Sequence, residues 1–87
     1  MRKTYHNILK AYFSRALVQR RMHLQMTQSE MAEQLLMDDR SYIDLDHGKS
    51  CCSALTLALY LVFVCDDVHT FTEGLRYAFD TGSDSAA

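Results

Sequence analysis

Apolar residues recur at three- and four-residue spacing in the first quarter of the chain, which is the period of an amphipathic helix. The pattern begins at Thr4 and runs to about Met22. The apolar positions along it are Tyr5, Ile8, Leu9, Tyr12, Phe13, Ala16 and Leu17. The sequence therefore predicts a long first helix with one buried side.

The next segment has the pattern of a capped helix start. In a capping box, a threonine hydroxyl accepts from a backbone N–H three residues later, and the glutamate there accepts from the threonine N–H. Thr27 and Glu30 have this spacing. The second helix is expected to begin there and to end near Leu36. Its buried side is predicted to consist of Met31, Ala32 and Leu35.

A third short helix is predicted over residues 39–46, with Asp38 as its capping residue. Tyr42 and Leu45 lie three residues apart and are its expected inward side chains. Gly48 follows as a helix-ending residue, because glycine takes a positive φ without steric cost. The chain thus has the pattern of two short helices separated by a tight turn.

The longest apolar run, residues 54–65, predicts a fourth helix capped by Ser53. The run covers 12 residues, which is fewer than the roughly 20 that cross a bilayer. We therefore expect a buried central helix that is apolar nearly all round. Its predicted inward positions are Leu55, Leu59, Leu61, Val62 and Phe63.

A fifth helix, capped by Asp66 or Asp67, is expected to end near Asp80. Its apolar positions are Val68, Phe71, Leu75, Ala78 and Phe79. The small polar residues 81–87 are predicted to form a disordered tail. Since the chain has no proline and only 3 glycines, a single all-α domain over residues 1–80 is expected.

The charge distribution and the cysteine content restrict the location and the classes of function expected for this chain. The formal net charge is -2, but all 11 acidic residues lie after residue 26 and the first 26 residues carry only basic charge. Three cysteines without framework spacing argue against secretion and favour a cytoplasmic protein. Cys65 and His69 share a helical face but lack a second ligand pair. No metal, cofactor or enzymatic activity is predicted.

The residues 26–35, MTQSEMAEQL, and 41–49, SYIDLDHGK, resemble the corresponding segments of the lambda-repressor-like (Cro/cI-type, XRE) helix-turn-helix family. The resemblance covers about residues 14–65 with its spacing preserved. It implies a five-helix lambda-repressor-like DNA-binding domain with an extended first helix and a helix-turn-helix core over residues 27–46. The implied partner is double-stranded DNA, and the implied function is transcription regulation.

The resemblance also implies which residues contact DNA. Gln28 matches a glutamine that holds a phosphate and braces the recognition helix, and Arg40 is the residue expected to read guanine. Lys49 is the clearest expected phosphate contact. The full set of implied DNA-binding residues is Gln28, Asp39, Arg40, Ile43, Asp44, His47 and Lys49.

Further matches concern the scaffold. Arg21 matches an arginine that reaches a carboxylate near the end of the third helix, here Asp46, and this pair is interpreted as structural. Two turn glycines of the family are replaced by Gln25 and Leu36, which is expected to alter the turns rather than the fold. The N-terminal extension, roughly residues 4–13, is expected to pack on the fifth helix, to contact a second subunit or to contact DNA.

A homodimer that reads an inverted repeat is predicted. Phe71, Leu75 and Phe79 exceed what a small core can cover, so they are expected to form the dimer interface. The alternative is a helix-turn-helix fold reused as a protein–protein interaction module or as an antitoxin-like partner-binding protein. The acidic third helix and the uncharged segment after Lys49 motivate that alternative.

Overall fold

A computed structural model describes residues 2–82, with side chains from Thr4 onward, and this range forms five helices and no strand. Thr81 and Gly82 end the last helix, and the rest of the predicted tail, residues 83–87, lies outside the described residues. The all-α prediction with a long first helix is confirmed. The helices are α1 (Arg2–His23), α2 (Gln28–Gln34), α3 (Asp39–Asp46), α4 (Ala54–Leu59, continued by a π-helical turn over Tyr60–Val64) and α5 (Val68–Thr81).

Local hydrogen bonds start the four shorter helices where the sequence predicts. The Glu30 N–H donates to Thr27 Oγ1 at 3.1 Å, and the Thr27 N–H donates to Glu30 Oε1 at 2.8 Å, which completes the capping box. Asp38 and Ser53 cap α3 and α4. Of the two candidates for α5, Asp67 is the cap. Because each cap lies within a few residues of the groups it satisfies, the local sequence suffices to predict it.

Three helices end in the same left-handed turn. Gln25, Leu36 and Gly48 follow α1, α2 and α3 with φ of 57°, 55° and 74°. In each turn the next backbone N–H donates to the carbonyl oxygen five residues earlier, at 3.0, 3.0 and 2.8 Å. This is the Schellman pattern, which favours glycine at the left-handed position. The chain keeps the turn at Gln25 and Leu36 despite side chains that disfavour it.

The core lies where α1 crosses the short helices. Phe13 and Leu17 of α1 are among the largest fully buried side chains. The predicted inward residues of α2 and α3 surround them and are all buried: Met31, Ala32, Leu35, Tyr42 and Leu45. Phe71 closes the core from α5.

The N-terminal half of α1 packs along α5, which was one of the expected positions for the extension. The rings of Tyr5 and Phe79 lie 5.1 Å apart, and those of Tyr12 and Phe71 lie 5.3 Å apart. The Tyr12 hydroxyl donates to the Phe71 carbonyl oxygen at 2.8 Å. A Cβ at Gly74 would overlap the Tyr12 hydroxyl, so glycine permits this close approach.

This packing removes the premise on which the dimer interface on α5 was predicted, and the interface itself stays a prediction. Phe71 is buried in the core, Leu75 is partly buried against it, and Phe79 is partly buried. The prediction took these residues to be uncovered, whereas α1 of the same chain supplies part of their cover. The extension therefore uses the apolar stripe of α5 within one subunit.

The prediction that α4 is a central helix is wrong on one side. Leu59 and Leu61 pack against the core, but Leu55, Val62 and Phe63 are 67%, 70% and 71% exposed. The rest of this small fold does not reach that side of α4. No helix within residues 2–82 is long and apolar enough to span a membrane.

Candidate nucleic-acid interface

A buried carboxylate joins the first three helices. Asp46, at the end of α3, is 6% exposed and accepts hydrogen bonds from three other side chains. The Arg21 Nε donates to its Oδ2 at 3.1 Å, and the Tyr42 hydroxyl donates to the same oxygen at 2.8 Å. The Gln28 Nε2 donates to Oδ1 at 3.4 Å. The structure thus brings together Arg21 and Asp46, the pair expected to be structural, and adds two further donors.

The burial of this carboxylate makes its partners important. A buried charge is tolerated when its oxygens are hydrogen-bonded, and removal of a partner leaves it uncompensated. Burial raises the pKa of the Tyr42 phenol well above its ordinary value, and the Asp46 carboxylate raises it further. Tyr42 is therefore a neutral donor over the physiological pH range. The network fixes the orientation of α3 relative to α1 and α2.

Sequence reasoning placed Tyr42 in the core and missed its polar role. The sequence did contain evidence for this hydrogen bond, because Tyr42 and Asp46 are four residues apart on one helix and so lie on the same face. A buried tyrosine hydroxyl also usually has a hydrogen-bond partner. Those two facts together could have identified Tyr42 as the third member of the pair.

Gln28 lies at the first residue of α2, where the resemblance implies a phosphate contact. Its side-chain amide instead donates to Asp46, and the side chain is partly buried. This contact corresponds to the bracing part of the role implied for Gln28. The phosphate contact stays a prediction.

The outward side of α3 carries the residues implied to face base edges. Asp39 and Arg40 are exposed, while Ile43 and Asp44 are partly buried. The Ser29 Oγ donates to Asp39 Oδ2 at 2.5 Å, so that carboxylate already has a partner on α2. The Arg40 guanidinium has no hydrogen bond or ion pair among the described residues. Arg40 is thus exposed and available at the start of α3.

The surroundings of Arg40 are acidic. The Asp38 carboxylate accepts the Ser41 N–H at 2.6 Å, and this hydrogen bond lowers the pKa of Asp38 below its ordinary value. Asp38 is therefore ionised at neutral pH. It lies beside Asp39 in the sequence, and Asp44 follows on the same helix. The local field around α3 is consequently not that of a strongly basic reader.

The segment after α3 contributes two exposed side chains from the implied set. His47 is the C-terminal cap of α3, and Lys49 follows the left-handed Gly48. Both side chains are exposed, whereas the backbone N–H of Lys49 is used by the turn. Arg40 and Lys49 are the cations at opposite ends of α3. The helix between them is about 12 Å long for its eight residues.

The cysteines and acidic residues do not form a metal site among the described residues, where no three His, Cys, Asp or Glu side chains lie together as ligands. Burial raises the pKa of the Cys52 thiol to about 11, with a smaller contribution from Cys51. A thiol with that pKa is rarely ionised at neutral pH and is a weak nucleophile.

Comparisons of the chain with protein-family models, with curated proteins and with solved structures find no match.

Proposed function

We propose that the chain is a sequence-specific DNA-binding transcriptional regulator that inserts α3 into the major groove. The observation that carries the proposal is the exposed Arg40 guanidinium, which has no partner among the described residues, on a helix whose orientation is fixed by the buried Asp46 network. A DNA-reading helix needs both features, because base contacts require side chains held at a defined angle to the groove.

In this mechanism Arg40 reads guanine. A guanidinium can donate two hydrogen bonds to O6 and N7 of the base, and this pairing discriminates by about 1 to 3 kcal/mol. Lys49 and His47 contact the phosphates, and Asp44 accepts from the exocyclic amine of cytosine. Asp39 can take the same role only if it exchanges its Ser29 hydrogen bond for a base contact.

The acidic surroundings of α3 shape the expected binding. Few cations face the phosphates, so few counterions are released and non-specific affinity is low. Binding then depends on the correct sequence more than it does for a basic protein. A homodimer on an inverted repeat supplies the missing affinity, because two recognition helices bind successive major grooves about 34 Å apart. A regulator of this kind would act in the cytoplasm.

The second candidate function is a protein–protein interaction module, including an antitoxin-like role. The acidic residues of α3 and its cap, Asp38, Asp39 and Asp44, favour it, because they would attract a basic protein surface. The two candidates differ in what Arg40 does. In the first it reads a base, whereas in the second it is one charge among several.

Selection of bound sequences from random duplexes tests the proposal. The wild-type chain, Arg40→Ala and Arg76→Ala are compared at low and at moderate salt. Arg76 is the matched control, because it is an exposed arginine on α5 whose side chain is 75% exposed. We expect an enriched motif with guanine for the wild type and for Arg76→Ala, and loss of that guanine for Arg40→Ala. No enrichment at low salt, or an unchanged motif for Arg40→Ala, contradicts DNA reading by α3.

A further inference from the structure

An exposed apolar face remains on α4 after the fold is complete. Leu55, Ala58 and Val62 lie at helical spacing on one side of the helix, and Phe63 lies beside Val62. The three large side chains are 67%, 70% and 71% exposed. We call these four residues the outer face of α4. A cluster of this kind is uncommon on a free monomer surface and usually marks an interaction site.

A π-helical turn carries half of the outer face. The Cys65 N–H donates to the Tyr60 carbonyl oxygen at 2.7 Å, five residues apart, where an α-helix would use four. Tyr60 and Val64 are four residues apart and both enter the core. Of the residues between them, Leu61 packs against the core, while Val62 and Phe63 both face outward. Single π turns within helices are frequent at functional sites.

The charge pattern indicates which partner fits this face. Residues 50–65 contain no charged side chain, although 23% of the chain is charged. The segment itself therefore offers no opposite charge to a basic or acidic partner. An identical copy matches it, because the centres of homodimer interfaces are apolar and depleted in charge. We propose that the outer face of α4 binds the outer face of a second copy across a two-fold axis.

The size of the face sets the expected affinity. The helix from residue 54 to 64 is about 16 Å long, and a standard interface buries about 800 Å² per partner. One helix face of this length buries less than that, so the dimer is expected to dissociate in the micromolar range. Two adjacent half-sites on DNA would raise the effective concentration and stabilise the pair. Only this last step rests on the proposed function.

Sedimentation equilibrium of the full chain without DNA, from about 1 µM to about 500 µM, tests the interface across the expected dissociation range. The wild type is compared with Phe63→Glu and with the control Met22→Glu. Met22 is equally exposed, at 67%, and lies on α1. We expect concentration-dependent dimers for the wild type and for Met22→Glu. Phe63→Glu should dissociate at least about 100-fold more readily, because two like charges would meet at the axis.

Circular dichroism checks that Phe63→Glu keeps the helical fold, which its exposed position favours. A monomeric wild type over the whole range overturns the inference, even if another protein is found on this face. Persistent dimers of folded Phe63→Glu also overturn it. Val62→Glu is the second variant, and it must give the same result as Phe63→Glu for the interface to stand.

A DNA measurement separates this inference from the proposed function. On the selected inverted repeat, Phe63→Glu should bind a single half-site as the wild type does but lose the cooperative binding of two copies. Equal cooperativity of the two proteins overturns the inference while DNA reading stands. If the wild type dimerises through α4 but selects no sequence, the proposed function fails and the interface stands.

Discussion

Two regions of this protein reverse the usual placement of polar and apolar groups. Asp46 is a carboxylate in the interior, and the outer face of α4 is a set of apolar side chains at the surface. The two regions differ in whether the rest of the chain supplies the contacts that each group needs, which are hydrogen bonds for the carboxylate and apolar cover for α4. Within the chain, Asp46 has donors from three helices, whereas the outer face of α4 has no cover among the described residues.

The comparison shows that burial and exposure carry different information. The donors to the buried Asp46 carboxylate all come from the chain itself, so these hydrogen bonds fix how α3 is oriented. The apolar exterior has no cover among the described residues, and the proposed second copy would supply one. Substitutions in the first region should therefore change the free energy of unfolding, and substitutions in the second should change association.

The largest expected effect is that of Asp46→Ala. Truncation leaves the Arg21 guanidinium, whose side chain is 18% exposed, without its carboxylate, and breaking a buried pair costs about 3 to 5 kcal/mol. Urea unfolding followed by circular dichroism measures this loss. Phe63→Gln is the control at the other region, and below the dimer concentration it should change the unfolding free energy by less than about 0.5 kcal/mol. Equal losses of unfolding free energy for the two variants would show that the two regions do not differ in their contribution to stability.

A smaller effect is expected for Tyr42→Phe. The change removes one hydrogen bond to a charged group while Arg21 and Gln28 still donate to Asp46, which costs about 1.5 to 3 kcal/mol. Urea unfolding at neutral pH measures it. A change near zero would show that the Tyr42 hydroxyl does not contribute to holding the carboxylate.

The same variant has a pH signature. The folded pKa of Tyr42 is raised above the ordinary value of 10.0, so the unfolded chain loses this proton first. The stabilisation is fully present below about pH 10 and is lost as the pH rises toward the folded pKa, by up to about 1.4 kcal/mol per pH unit. Tyr60, whose pKa burial raises to about 12, adds a similar loss. Tyr42→Phe should therefore have a shallower alkaline decline than the wild type.

The smallest expected effect concerns Leu36, an apolar residue exposed for a local reason. It is 79% exposed and has a φ of 55° in the turn between α2 and α3. Leu36→Gly should stabilise the chain by about 0.5 to 1 kcal/mol, because glycine takes this conformation without strain. Gln34→Gly, in α2 itself, is the control and should destabilise by a similar amount. The midpoint of urea unfolding should move in opposite directions for the two variants.

The helix starts were predictable from sequence because they depend on neighbours. Thr27 with Glu30, Asp38 and Ser53 all cap the helices that follow them. The left-handed turn at Gln25 was harder to predict, since glycine is the usual residue at such a position and glutamine does not indicate a positive φ. The resemblance pointed to that position as a glycine of the family.

The candidate site was only partly predictable. Arg21 and Asp46 meet as the resemblance implied, but the hydrogen bond from Tyr42 was missed, although its four-residue spacing from Asp46 on α3 pointed to it. The Ser29 hydrogen bond that occupies Asp39 also joins two helices and left no pattern in the sequence. Exposure of Arg40 follows from the packing of the opposite side of α3. The Arg21 and Ser29 contacts join different helices and could not be derived from spacing along a single helix, whereas Tyr42 and Asp46 lie four residues apart on α3.

What the sequence determined by itself is the set of helices, their caps and the side of α2 and α3 that is buried. Only the tertiary structure decided which apolar residues are covered, and α4 and α5 show the difference. Phe71 and Phe63 are both aromatic residues in apolar helical segments, yet Phe71 is in the core and Phe63 is 71% exposed. The physical reason is distance along the chain. Helical periodicity is set within four residues, whereas the cover of Phe71 comes from Tyr12, which is 59 residues away.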